Sequence, residues 1–116
     1  SCPFAGKLIN QLKSEMDITC SNGTIRGKYN SAVGKATREY PLKGRYSAIG
    51  DGGYVMGWSV AWKNRYMDAH SATSWTGIYY KGKEQIKTQW VLTSYQDQEN
   101  YWKAFYTNQD VFHRKK

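Results

Sequence analysis

Proline is almost missing from this chain: two in 116 residues, beside two cysteines, two histidines and nine acidic residues. Each scarcity excludes something. So little proline leaves no proline-rich linker or recognition segment. The histidines, His70 and His113, stand in no ligand-spaced cluster with cysteine or carboxylates, so no metal centre is predicted. There is no Ser-His-Asp ordering, glycine-rich phosphate loop or pair of carboxylates set for acid–base work, and the reading is of a protein that is not an enzyme and needs no cofactor. No apolar run approaches the roughly 20 residues of a membrane-spanning helix, and the start lacks a charged-then-apolar leader. A soluble, mature chain with no membrane partner is expected.

What the chain does hold is glycine, tyrosine and tryptophan, eleven, ten and five respectively. With many Thr, Ser and Val, this composition favours short strands joined by tight turns. At 13.4 kDa the length suits one domain over 1–116. Seventeen basic residues give a net charge of +8 and a pI near 9.5. A barrel binding single-stranded nucleic acid through a basic, aromatic surface would share that composition. The Lys and Arg residues are instead spread from Lys7 to Lys116, and only His113 to Lys116 form a run. A solvated surface with a charged tail is the expectation, and no nucleic-acid partner.

Eight strands are predicted between breaker signals: Gly6 to Leu12, Asp17 to Ser21, Thr24 to Ser31, Tyr40 to Tyr46, Tyr54 to Trp62, Ala72 to Tyr80, Gln85 to Ser94 and Tyr101 to Phe112. Asn22-Gly23 is a two-residue hairpin signal, and Lys81-Gly82-Lys83 marks a second turn. Eight sequential antiparallel strands remove their edges by closing into an up-and-down β-barrel, whose interior admits side chains or one small ligand. The expected fold is therefore all-β, an eight-stranded antiparallel barrel.

The stretch from Gly57 to Tyr80, GWSVAWKNRYMDAHSATSWTGIYY, mixes rings and hydroxyls where a plain core would use aliphatics. Period-two alternation sets Trp58, Val60 and Trp62 on one face of their strand and Thr73 with Trp75 on one face of theirs, so rings and hydroxyls share a surface. Leu8, Asn10 and Leu12, continued by Ser14, repeat the mixture, as do Tyr29, Ser31 and Val33. A buried hydroxyl or amide without a partner costs about 1–3 kcal/mol, so inward-facing groups of this kind need each other, water or a ligand. The opposite reading, with these faces in solvent, serves any one strand; three strands with the same mixture weigh against it.

GWSVAWKN, AHSATSWTG, KTQWVLTS, SAVG and GKLINQL together resemble the avidin and streptavidin family of biotin-binding proteins, most closely the streptavidin branch, over nearly the whole chain. The resemblance implies an avidin-like barrel that binds and sequesters biotin non-covalently with high affinity. By their places in the motifs, Asn10, Ser14 and Tyr29 would donate to the ureido oxygen, and Ser31 and Asp110 would accept from the two ureido N–H groups. Thr73 would meet the thioether sulfur and Ser71 the valerate carboxylate. Trp62, Trp75 and Trp90 would form apolar walls, with Leu12, Val33, Ala69 and Leu92 adding lesser contacts and Trp58 serving the core. Trp102 resembles the tryptophan that caps a neighbouring subunit's site. The resemblance thus implies a secreted homotetramer, with a dimer as the alternative, whose partners are biotin and biotinylated molecules.

The chain departs from the family pattern at several positions. Leu8 stands where tryptophan is common. Lys35 replaces an asparagine in the loop over the carboxylate, where its ammonium would pair with that carboxylate or face water. Thr107 and Gln109 replace residues that join dimers, and His70 holds an interface position. Cys2 resembles a family cysteine whose usual partner position is occupied by Tyr79. If the first two strands turned near Ser14, Cys20 would lie opposite Leu8 and roughly 20 Å from Cys2 along the strand. An intrachain bridge would then need the Pro3 segment to fold back; an interchain bridge and free thiols are the alternatives. Asn22-Gly23-Thr24 also fits an N-glycosylation acceptor, in keeping with secretion.

Overall fold

Alternating inward and outward residues run through almost every strand of the computed structural model, which describes residues 2–31 and 39–116. The strands are β1 (Gly6–Asn10), β2 (Glu15–Ser21), β3 (Thr24–Asn30), β4 (Glu39–Ala48), β5 (Tyr54–Lys63), β6 (Asp68–Tyr79), β7 (Gln85–Ser94) and β8 (Phe105–Arg114). Each pairs antiparallel with its neighbours in sequence, and β8 pairs with β1, so the barrel closes in strand order. Closure leaves no sheet edge exposed among the described strands. Two close approaches depend on glycine: a Cβ on Gly44, which pairs with Trp58, would sit 2.0 Å from the Gly57 carbonyl oxygen, and one on Gly27 would sit 2.1 Å from the Asp17 carbonyl oxygen.

Several boundaries differ from the sequence reading, among them β6, which runs from Asp68 rather than Ala72, and β4, which ends at Ala48 rather than Tyr46. The last strand begins at Phe105 rather than Tyr101, because Gln98–Lys103 form a 3-10 helix. Its start is fixed by Asn100, whose backbone N–H and side-chain Nδ2 donate to the carbonyl and carboxylate of Asp97 at 3.0 and 2.7 Å. The first strand stops at Asn10 rather than Leu12, and the second starts at Glu15 rather than Asp17.

The first hairpin explains the disulfide. Pairs Gly6–Ile18 and Leu8–Met16 are symmetric about Leu12, not Ser14, so the same register sets Cys20 against Phe4. A turn at Pro3 and Phe4, closed by the Ala5 N–H on the Cys2 carbonyl at 3.2 Å, covers the remaining distance. Cys2 and Cys20 are bonded within the chain, their Cα atoms 5.9 Å apart. The fold-back of the N-terminal segment thus supplies the geometry that a turn at Ser14 would have denied.

That segment closes one end of the barrel. Phe4 is buried with its ring 5.3–5.9 Å from those of Tyr46, Tyr54 and Tyr79. Arg114 donates to the carbonyls of Ala5 and Pro3 at 2.9 and 2.7 Å, pinning the plug to the last strand. Burying a phenylalanine fully is worth about 1.5–3 kcal/mol. The core continues through Leu8, Met16, Ile18, Ile25, Val60, Ile86 and Phe112 towards the rings described next.

Candidate functional site

Beyond the plugged end, the interior changes from aliphatic to aromatic and polar. Asn10, Ser14, Thr73, Thr88 and Asp110 are buried polar side chains there, among the rings of Tyr29, Trp58, Trp75 and Phe112. Tyr29 stacks on Trp75 with centroids 4.9 Å apart, and Trp58 stacks on the same indole at 5.8 Å. Trp62 is half-buried and meets Tyr29 and Tyr40 edge-on at 5.4 and 5.0 Å.

The β1–β2 turn is built by Asn10. Its Oδ1 accepts the backbone N–H groups of Leu12 and Ser14 at 2.9 and 3.0 Å, which fixes the amide orientation. The Nδ2 is thereby left as a donor, at 3.5 Å from the Tyr29 hydroxyl. Burial pushes the Tyr29 phenol above its ordinary pKa; hydrogen bonding from Ser14 pulls it back, the Asp110 charge raises it again, and Asn10 lowers it. The net direction is upward, so the hydroxyl stays protonated and able to donate. Asn10, Ser14 and Tyr29 therefore form one hydrogen-bonded group of three potential donors.

Asp110 lies on β8 beside this group, two residues from Phe112, the partner of Asn10 in the β1–β8 pair. Its Oδ2 accepts the Trp75 indole N–H at 3.1 Å and its Oδ1 the Gln11 Nε2 at 2.7 Å. The Thr88 hydroxyl donates to its backbone carbonyl at 2.8 Å. A carboxylate offers about four lone-pair sites, so two remain for a ligand's N–H groups. Further along, the Trp62 indole donates to the Thr73 hydroxyl oxygen at 2.8 Å, orienting a ring and a hydroxyl together. Donors, a carboxylate acceptor beside them and rings around both suit a small neutral head group with both kinds of hydrogen-bonding atom and an apolar body.

The remaining predicted positions sit around this group. Ser31 follows β3, half-buried and with its polar interactions made. Ser71, Trp90 and Leu92 are half-buried on β6 and β7, and Trp90 packs against the core. Leu12 and Ala69 are exposed, because Leu12 heads the turn and Ala69 lies near the start of β6. Trp102 is 73% exposed on the 3-10 helix. Thr107, Gln109 and His70 are exposed too. Val33 and Lys35 lie outside the described residues. Sequence reasoning missed Gln11, Tyr40 and Thr88. The alternation Tyr40–Leu42 and Ile86–Thr88–Trp90 carried the signal for the last two, whereas Gln11, exposed in a turn, gave none.

The matches to known proteins agree with this geometry. The family model described as Avidin family matches residues 1–115. Avidin of Gallus gallus is 34% identical over 123 aligned positions, which cover 97% of this chain and 78% of that protein. A match of that extent, on a closed eight-stranded barrel with a ring-lined polar interior, makes this chain a member of the avidin family.

Proposed function

We propose that this chain binds biotin inside the barrel and sequesters it, as a binding protein and not as an enzyme. Membership of the avidin family, a family of biotin-binding proteins, supports the ligand. The observation that carries the reading is the gathering of the Asn10–Ser14–Tyr29 donors and the Asp110 carboxylate against stacked rings. A cyclic urea has one oxygen and two N–H groups. The three donors would converge on that oxygen as in an oxyanion hole, stabilising the negative charge it carries, while Asp110 and Ser31 accept from the nitrogens. Thr73 would face the sulfur and Ser71 the carboxylate, with Trp62, Trp75, Trp90 and Leu92 as walls and Leu12 and Ala69 at the rim. Val33 and Lys35 belong to the same proposal from sequence alone.

Trp102 supports an oligomer in which one subunit caps another's site. An indole 73% exposed on a helical turn, near exposed Tyr101, Phe105 and Tyr106, is an apolar patch suited to a partner surface. The proposed assembly is a homotetramer, with a dimer as the alternative. Secretion is supported by the Cys2–Cys20 disulfide, which persists in oxidising compartments. Titrating biotin while following tryptophan fluorescence tests the reading. The expectation is saturation at one biotin per chain with a blue shift from Trp62, Trp75 and Trp90. An unchanged spectrum from folded, biotin-free protein would refute it.

A further inference from the structure

The seam where β1 meets β8 is the shortest in the barrel, with three registered pairs: Leu8–Arg114, Ile9–His113 and Asn10–Phe112. Continuing that register would set Gln11 against Val111. The backbone cannot continue, because Asn10 has already turned the chain: its carbonyl accepts the Lys13 N–H at 3.0 Å and its N–H donates to the Ser14 carbonyl at 2.9 Å. The Gln11 side chain takes the vacant place. Its Oε1 accepts the Val111 backbone N–H at 3.0 Å and its Nε2 donates to the Gln109 carbonyl at 3.3 Å, so a carboxamide substitutes for a peptide group in the ladder. The same Nε2 donates to Asp110 Oδ1 at 2.7 Å.

We propose that Gln11 is a positioning residue that couples closure of the barrel seam to the aim of the Asp110 carboxylate, and so sets how long the ligand's ureido N–H is held. The proposal rests on the biotin reading. With Trp75 fixing Oδ2 and Gln11 fixing Oδ1, the carboxylate cannot rotate without breaking a hydrogen bond, and the partner that fixes Oδ1 is also the last bond of the seam. Opening of the seam and misalignment of Asp110 are therefore one event.

The test has a ligand-free arm and a ligand arm. Amide hydrogen exchange at Val111, without biotin, is expected to quicken about tenfold in Gln11→Ala while Ile18, in the β2 core, keeps its protection; one lost hydrogen bond is worth roughly that factor. Biotin dissociation should quicken by a similar factor. Unchanged Val111 exchange, or faster exchange with unchanged dissociation, overturns the coupling. Gln11→Glu gives a readout that mere packing would not move. It sets a carboxylate oxygen beside Asp110, and two carboxylates that close share a proton which is lost as pH rises. Tyr29, a titratable group that interacts with Asp110, stays protonated. Dissociation from this variant should accelerate with rising pH while the parent's does not, and a variant as pH-insensitive as the parent contradicts the proposal. If the parent binds no biotin, the functional reading fails by itself, and the exchange arm still judges the seam.

Discussion

Replacing Asp110 by alanine removes the carboxyl group from the buried polar cluster, and the structure allows its effects to be separated. In the bound state a ligand N–H loses a hydrogen bond to a charged group, worth about 1.5–3 kcal/mol, which is roughly a 10- to 150-fold rise in Kd. In the free state two donors lose their acceptor. The Trp75 indole N–H is buried and has nowhere to turn, at a cost of about 1–3 kcal/mol in stability, whereas Gln11 is exposed and can take water. Asp110→Asn should fall between parent and alanine variant: one of its two side-chain positions accepts, the other donates, so either Trp75 or Gln11 faces another donor. The assay is calorimetric titration with biotin, or exchange of labelled biotin if binding is too tight, beside urea unfolding of the unliganded proteins. A folded Asp110→Ala that keeps the parent's Kd would refute the assignment, and loss of stability alone would make Asp110 a structural residue.

Three further outcomes are expected. Because burial raises the Tyr29 pKa, the folded barrel holds that proton more tightly than the unfolded chain; stability should be level below about pH 10 and fall as pH rises towards the folded value. Ultraviolet titration should show a late-titrating tyrosine that Tyr29→Phe abolishes, and a titration curve unchanged by Tyr29→Phe at high pH would contradict this. Reducing the Cys2–Cys20 bond, which closes a loop of 18 residues, should cost about 3 kcal/mol and lower Tm by roughly 10–15 °C, and the oxidised chain should run free of disulfide-linked dimer on non-reducing electrophoresis. Gly44→Ala pushes a methyl into the Gly57 carbonyl and the Trp58 backbone and should destabilise by about 1–3 kcal/mol in denaturant unfolding; a neutral result would show that the β4–β5 pair can separate without penalty.

Much of the barrel is legible in the sequence because half-buried strands write their faces as alternation. Asn22-Gly23 marks the β2–β3 hairpin, and Ser21–Thr24 is the last pair before it. Period two groups Trp58 with Val60, Trp75 with Thr73 and Asn10 with Ser14, and the recurrence of the ring-and-hydroxyl mixture on three strands points these faces inward, where Asn10, Ser14, Tyr29 and Thr73 are buried. What failed is where side chains, not periodicity, decide the backbone. Asn10 bends the chain by accepting two amides from the next turn, which shifts the hairpin centre and, with it, the apparent distance between the cysteines. Tyr101 and Trp102 read as strand residues by composition, yet Asp97 and Asn100 turn them into a helix. Gln11 acts through three hydrogen bonds to residues about a hundred positions away, a relation that no local pattern carries.

The central claim is that the ring-lined interior is a site for a neutral, hydrogen-bonding head group and that the ligand carrying it is biotin. Calorimetric titration with biotin at low and high salt tests it most directly. The account predicts tight binding near one biotin per chain with little salt dependence, since the interior recognises a ureido group and not a polyanion. Absence of binding heat from folded, biotin-free protein, or affinity that collapses as salt rises, would contradict it.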